Sequence, residues 1–304
     1  MARKIVIVGS GGRLGAALMR EWRAAGDEVI GFNHALLDIG NFPQVRETLG
    51  GLEFDALVNC AAQTNVDRCE KEPDEAFLLN SKAVANLADA CTRKKARCIH
   101  ISTDYVFDGE KREPYTEEDE ARPISVYGES KLGGERCLHA VSDRHLVVRV
   151  SWVFGPDRPS FVDQILQRAL EHETVEAIGD KVAVPTYTLD AATLLRPLLV
   201  DIPFDGILHL CNTGECTWQE YGQHALDCAL AAGVPLKGRT VGALKMAELK
   251  AFIARRPVYT AMSTALLQRT TGLTPRPWQE AVDEYIRTHW APAQRASIPK
   301  RPSF

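Results

Sequence analysis

Along the first half of the chain, short apolar runs rich in β-branched residues alternate with stretches whose apolar positions recur every three or four residues. The runs predict strands over Lys4 to Val8, Glu28 to Phe32, Ala56 to Ala61, Cys98 to Ser102 and Leu146 to Ser151. Between the first two, Leu14, Leu18, Trp22 and Ala25 lay one apolar stripe along a helix that Gly26 stops. A second long helix is predicted after Pro73, where Ala76, Leu79, Ala83, Leu87 and Ala90 keep the period as far as the basic end Thr92-Arg93-Lys94-Lys95. Strands and helices in alternation predict an α/β fold with a doubly wound parallel sheet.

The pattern loosens after Pro156. Helices are predicted at Phe161 to His172, Leu189 to Val200, Trp218 to Ala232 and Trp278 to His289, with a strand at Gly206 to Cys211, and Thr217 with Glu220 fits a capping box. The segment Glu110 to Pro123 is acidic, bounded by prolines and aperiodic, so it reads as a surface loop. We expect residues 1–155 to form the sheet domain, with 187–211 returning to it, and 156–290 to form a smaller lobe. Ala291 to Phe304, with three prolines and no acidic residue, reads as a flexible tail.

Composition narrows the function classes. The 304 residues are 45% hydrophobic and 25% charged, which is ordinary for a globular protein. With 36 basic against 40 acidic residues, the net charge of −4 lacks the basic excess of a nucleic-acid binder, so no nucleic-acid partner is expected. No apolar run reaches the roughly 18 residues that span a bilayer, so no membrane partner is expected either and the default location is the cytoplasm. Eight cysteines without a CxxC pair suit a reducing compartment, and no cluster of ligand residues along the sequence locates a metal.

The chemistry begins directly after the first predicted strand. Gly9, Gly12 and Gly15 form G-x-x-G-x-x-G and open a helix, the order in which a tight turn brings backbone N–H groups and a helix N-terminus to a pyrophosphate. At the end of the second strand, where an acid would favour the free ribose hydroxyls of NAD, stand Asn33 and His34. Neither repels a 2′-phosphate and Arg13 is placed to approach one, so NADPH is the expected cofactor, with NADH an alternative. Asp38 and Ile39 are candidates for the adenine, and Ala61, Ala62, Gln63 and Thr64 for the ribose and nicotinamide.

Tyr127 and Lys131 stand four apart on a predicted helix, hence on one face, where the ammonium is expected to lower the phenol pKa and make Tyr127 a usable acid. Such a pair arises easily by chance. It gains weight from the strand ending Ile101-Ser102-Thr103-Asp104-Tyr105, whose Thr103 hydroxyl suits a carbonyl oxygen that becomes an alkoxide.

The glycine turn, Ser102-Thr103-Asp104-Tyr105-Val106-Phe107, Tyr127-Gly128-Glu129-Ser130-Lys131 and Arg149-Val150-Ser151-Trp152-Val153-Phe154 together resemble the dTDP-4-dehydrorhamnose reductases of the extended short-chain dehydrogenase/reductase superfamily. Asn59 to Asp67, Leu79-Asn80 and Pro185-Thr186 extend the resemblance, which runs from about Lys4 to about Ile286. It implies a Rossmann domain for NAD(P)H and a carboxy-terminal lobe for a dTDP-sugar whose 4-keto group is reduced, giving dTDP-L-rhamnose. By the same resemblance Tyr127 donates the proton, Lys131 binds the nicotinamide ribose, Thr103 orients the keto oxygen, and Thr103, Asp104 and Trp152, with neighbouring Tyr105, touch the sugar nucleotide. The cofactor positions it implies are Gly12, Arg13, Leu14, Asp38, Ile39, Ala62, Gln63 and Thr64.

Two segments depart from the family. Asp180 to Thr186 differs from its Asp-Gln-x-Gly-x-Pro-Thr, and Arg256 to Met262 matches its Arg-Pro-x-x-Ser only loosely. The substrate is therefore less firmly implied than the catalytic set. Another sugar-nucleotide reductase or epimerase stays open, as does a non-catalytic subunit similar to the regulatory β subunit of methionine adenosyltransferase, and so does a homodimer.

Overall fold

The β-branched runs pair as the periodicity predicts, and the computed structural model describes them within residues 2–249 and 251–297. Strands β1 (Lys4–Val8), β2 (Glu28–Phe32), β3 (Ala56–Asn59), β4 (Arg97–Thr103) and β5 (Leu146–Val150) join Gly206–His209 in one sheet. From one edge its order is Gly206–His209, β5, β4, β3, β1, β2, and every pairing is parallel. Val6, for example, lies between Ile30 and Leu57. Because β2 leaves β1 to one side and β3 to the other, the winding reverses at β1, and a crevice opens there beyond the carboxyl ends of the strands.

Alternate residues of β1 fill opposite faces of the sheet. Ile5 and Ile7 join a core with Leu14, Leu18 and Trp22 of helix α1 (Arg13–Ala24) and with Ala191, Leu194 and Leu195, whereas Val6 and Val8 join Val45, Leu49, Val84 and Leu87. Trp22 Nε1 donates to the Ala192 carbonyl at 2.9 Å, so the Thr188–Leu195 helix is fastened to α1. A separate core gathers Ile165, Tyr221, Ala225, Trp278, Val282 and Tyr285 from helices Phe161–Glu171, Trp218–Ala231 and Trp278–Tyr285. The Thr217 and Glu220 capping box forms as expected, with Glu220 N–H donating to Thr217 Oγ1 at 3.1 Å and Thr217 N–H to Glu220 Oε2 at 2.8 Å.

Several expectations are corrected. The long helix after Pro73 is three pieces: Pro73–Phe77, a π turn at Leu78–Lys82, and Ala83–Arg93. The buried Asn80 is in that wide turn, and its amide bonds both Gln63 and Ser130. The helix expected over Leu189 to Val200 ends at Leu195 and passes into a 3₁₀ turn containing Pro197, which has no N–H for a further α turn. Strand β3 stops at Asn59, whose Oδ1 accepts the Ala61 N–H at 3.0 Å and turns the chain out of the sheet.

The tail differs most. A π turn at Ile286–Trp290 passes into a helix over Ala291–Ser297, and Trp290 and Ala291 are buried in the carboxy-terminal core. Pro292 falls in the first turn of that helix, where proline is tolerated. The rest of the expected tail lies outside the described residues.

Candidate functional site

The glycine turn after β1 is shaped by close backbone approach. Gly9 has φ of +79°, and a Cβ there would lie 2.5 Å from the Ala61 nitrogen. Only glycine fits that combination of conformation and contact. Gly9 N–H donates to the Phe32 carbonyl at 2.8 Å, Gly12 N–H to the Gly9 carbonyl at 3.0 Å, and Gly12 is the N-cap of α1. Gly15 packs beneath the turn, where a Cβ would meet the Gly9 carbonyl oxygen at 2.4 Å.

A cleft of about 960 Å³ runs from this turn across the ends of β3 and β4. It brings together Gly9, Gly12, Arg13, Leu14, Asn33, His34, Ile39, Ala61, Ala62 and Thr64 with Thr103, Asp104, Tyr105, Tyr127, Lys131 and Trp152. Three candidates are not among its lining residues. Gly15 is under the turn, and Asp38 accepts the Gly40 N–H at 2.9 Å beside a neighbouring shallow depression. Gln63 is turned away, with Nε2 to Glu75 at 3.3 Å and Oε1 accepting the Asn65 N–H at 3.2 Å. The cleft also contains Gly11, Ile101, Ser102 and Arg158, which sequence reading did not single out as site residues.

Thr103 ends β4. Its hydroxyl accepts the Tyr105 N–H at 3.2 Å and donates to Asp104 Oδ1 at 3.1 Å, which turns the chain into the short 3₁₀ segment 104–106. The helix Val126–Val141 carries Tyr127 and Lys131, and Ser125 caps it by accepting the Gly128 N–H at 3.2 Å. A Cβ at Gly128 would lie 2.2 Å from the Tyr105 carbonyl oxygen, so this glycine lets the helix carrying Tyr127 and Lys131 seat against the strand end.

The electrostatics correct one expectation. Tyr127 is buried and its phenol is pushed above the ordinary value, chiefly by desolvation, with a Thr103 hydrogen bond pulling down and Asp104 pushing further up. Lys131 does not bring it down, because its ammonium is engaged elsewhere. Lys131 Nζ donates to the Ile101 carbonyl at 2.7 Å and lies 3.1 Å from His100 Nε2. Burial lowers Lys131 to about 8, opposed by Glu135 and Cys60. His100, whose other ring nitrogen is 3.1 Å from Asn59 Nδ2, is held well below its ordinary value by burial and by the Lys131 charge.

Residues 3–290 match the family model described as the RmlD substrate binding domain. The chain belongs to the RmlD family. The spore coat polysaccharide biosynthesis protein SpsK of Bacillus subtilis is 34% identical over 284 residues, covering 93% of this chain and 97% of that protein. The dTDP-4-dehydrorhamnose reductase of Escherichia coli is 33% identical over 289 residues, covering 93% and 96%. Among solved structures, dTDP-4-dehydrorhamnose reductase from Bacillus anthracis in complex with NADP superposes with a TM-score of 0.87 at 30% identity, covering 94% of this chain and 98% of that one.

In this RmlD family member the two divergent segments meet at the site. Asp104 is 2% exposed, and its Oδ2 accepts from Thr260 Oγ1 at 2.6 Å. Thr260 stands where the family motif has serine, so the departure keeps the hydroxyl. Lys181, where the family has glutamine, is fully buried and donates to the Pro257 carbonyl at 2.5 Å, with its ammonium 4.9 Å from the centre of the Tyr105 ring. The substituted side chain thus ties the same two segments together. Farther out, Arg256 pairs with Asp67 at 2.9 Å and holds that carboxyl down at about 2.

Trp152 sits at φ +41°, which is strained for a bulky side chain. Its ring lies 5.6 Å from Trp218 and 6.1 Å from Tyr221, and its buried Nε1 has no hydrogen-bond partner among the described residues. Two arginines, Arg13 and Arg158, stand at the glycine turn. Arg13 donates to the carbonyls of Val153, Arg158 and Pro159, so its charge is engaged with backbone. The exposed Arg158 instead reaches the turn, donating to the Gly11 carbonyl at 2.6 Å. A Cβ at Gly11 would have Asn33 Cβ 3.4 Å away and Arg158 Nη2 3.8 Å away, which puts that guanidinium beside the end of β2.

Proposed function

We propose that this chain is an NADPH-dependent dTDP-4-dehydrorhamnose reductase. The reading rests above all on Thr103 and Tyr127 meeting in the same cleft as the glycine turn. The glycine turn, with Gly12 as the N-cap of α1, fits a dinucleotide pyrophosphate. Bound NADPH supplies the hydride to the sugar's C4 carbonyl carbon.

The chain's own residues do the rest. Thr103 orients the keto oxygen, and Tyr127 gives that oxygen its proton as it becomes the alcohol. A phenol whose pKa is raised keeps its proton near neutral pH and still yields it readily to the far more basic alkoxide. Lys131, at about 8, retains most of its charge at neutral pH and serves the nicotinamide ribose. The unpartnered Trp152 Nε1 is a donor for the sugar nucleotide, as is fitting for a strained residue at a site wall. On this reading the sheet side of the cleft holds the cofactor and residues 156–290 form most of the sugar site. Arg158, beside Asn33, is the cation for a 2′-phosphate.

The test follows NADPH oxidation with the dTDP-4-dehydro-6-deoxy sugar. Tyr127→Phe is expected to lower turnover about 100-fold or more while NADPH affinity stays within about twofold. Undiminished turnover in that variant, or no oxidation by folded, NADPH-binding protein, overturns the proposal. Arg158→Ala is expected to weaken NADPH about tenfold and leave NADH unchanged, because only the phosphorylated ribose meets the guanidinium. Equal losses for both cofactors would remove Arg158 from that role.

A further inference from the structure

Away from the cleft, helices Trp218–Ala231 and Trp278–Tyr285 bring a histidine, a cysteine and a carboxylate together. His224 and Cys228 stand one turn apart on the first helix, and Asp283 faces them from the second. Cys228 Sγ lies 3.5 Å from His224 Nε2 and donates to Asp283 Oδ1 at 2.6 Å, while His224 Nε2 lies 2.9 Å from that same oxygen. Among the described residues this is the one group of three such side chains able to share an ion, its ligand atoms all within 4.8 Å of one another.

From these positions we infer a binding site for one borderline-soft divalent transition cation, of the zinc class, formed by His224, Cys228 and Asp283. A tetrahedral zinc with ordinary bond lengths separates its N, O and S ligands by roughly 3.3–3.6 Å. The sulfur–nitrogen distance already has that value, and the oxygen has to retreat by under about 1 Å. One thiolate with one imidazole selects against magnesium and calcium, which take oxygen ligands. The Gln279 carbonyl, 3.3 Å from His224 Nε2, lies on the same side, and the half-exposed setting leaves room for a water at the fourth position. Second contacts hold the ligands in place: the His224 ring packs edge-on to Trp278 at 5.1 Å, and Arg287 holds Asp283 Oδ2 at 2.7 Å, leaving Oδ1 for the ion. Binding replaces the thiol proton and ties the two helices of the carboxy-terminal core to one another.

The simpler alternative is a hydrogen-bonded tie that takes no ion, and the experiment separates the two. The full chain, stripped with chelator, is titrated with Co²⁺ and then Zn²⁺. The expected result is about one equivalent of Co²⁺ with a thiolate-to-cobalt charge-transfer band, displaced by Zn²⁺, and a Tm raised by Zn²⁺. Cys228→Ser keeps a hydroxyl for Asp283 but removes the soft ligand, and His224→Gln removes the imidazole; each is expected to weaken binding at least tenfold and abolish the Tm rise. Reductase turnover of metal-free protein is expected to be unchanged in both, so this result stands or falls apart from the proposed activity. Should a variant fail to fold, zinc protection of Cys228 from a thiol reagent in the unaltered chain, read by peptide mapping, gives the answer. No thiolate band at tens of micromolar Co²⁺, or equal affinity in folded Cys228→Ser, overturns the site.

Discussion

At the glycine turn, the cleft takes its shape from atoms that are absent: a Cβ at Gly9 would strike Ala61, and one at Gly15 would strike Gly9. Behind the lining residues Asp104 and Tyr105 it comes from side chains that meet across long stretches of sequence, Asp104 with Thr260, Lys181 with the Pro257 carbonyl and Asp67 with Arg256. The first wall is encoded within one turn and admits no added volume. The second depends on a donor or charge reaching its partner, so it accepts threonine for serine, or lysine for glutamine, where a bond survives. The two walls should therefore fail in different ways.

The largest expected effect is on the first wall. Gly9→Ala combines a left-handed φ with a backbone clash, and should cost about 3 kcal/mol or more, or abolish NADPH binding in whatever folds. Gly26→Ala isolates the first component, since Gly26 has φ of +87° and a methyl there would meet nothing within 4 Å, and should cost only about 1 kcal/mol. Chemical denaturation of the two variants checks the difference. Equal costs would mean that conformation, and not close approach to Ala61, dictates the glycine.

A smaller, more selective effect is expected at Thr260. Thr260→Val leaves the buried Asp104 short of a hydrogen bond, a loss of about 1.5–3 kcal/mol for a bond to a charged group. That should lower kcat/KM for the sugar nucleotide about tenfold with NADPH affinity unchanged, and Thr260→Ser should restore it. A loss shared by both variants would show that the threonine methyl matters and would weaken the contrast between the walls.

The same contrast explains what can be read without the fold. The glycine turn, Thr103 at a strand end and the Tyr127 and Lys131 pair on one helix each lie within a few residues of chain, where period and spacing carry the geometry. Arg158 and Thr260 are hidden because their roles depend on which loops the sheet brings to Gly11 and Asp104. The direction of the Tyr127 shift runs against the expectation for a related reason: four-residue spacing says which face Lys131 shares, but not that Ile101 and His100 capture its ammonium. The π turns at Leu78–Lys82 and Ile286–Trp290 escape because an apolar stripe has the same look through a locally widened helix. His224 and Cys228 have a legible spacing, yet Asp283 joins them only through packing.

The smallest effect tests the outermost tie of the second wall. Asp67 accepts from Arg256 and from the Ile253 and Ala254 N–H groups, and its pKa of about 2 lies below the ordinary 3.8. A carboxyl held down in the fold adds stability that is complete above its unfolded pKa and is lost as pH falls through the folded one. The ion pair is partly exposed, so its removal by Asp67→Asn should cost only about 1 kcal/mol at neutral pH. By linkage, about half of that gap should be gone at pH ~3, where the unfolded carboxyl is mostly protonated and the folded one is mostly ionised. Urea denaturation of both proteins at pH ~6 and ~3 measures it. A gap that does not narrow would assign the stabilisation to the neutral hydrogen bonds that asparagine keeps or loses, and would leave the second wall dependent on geometry as the first is, with charge contributing little.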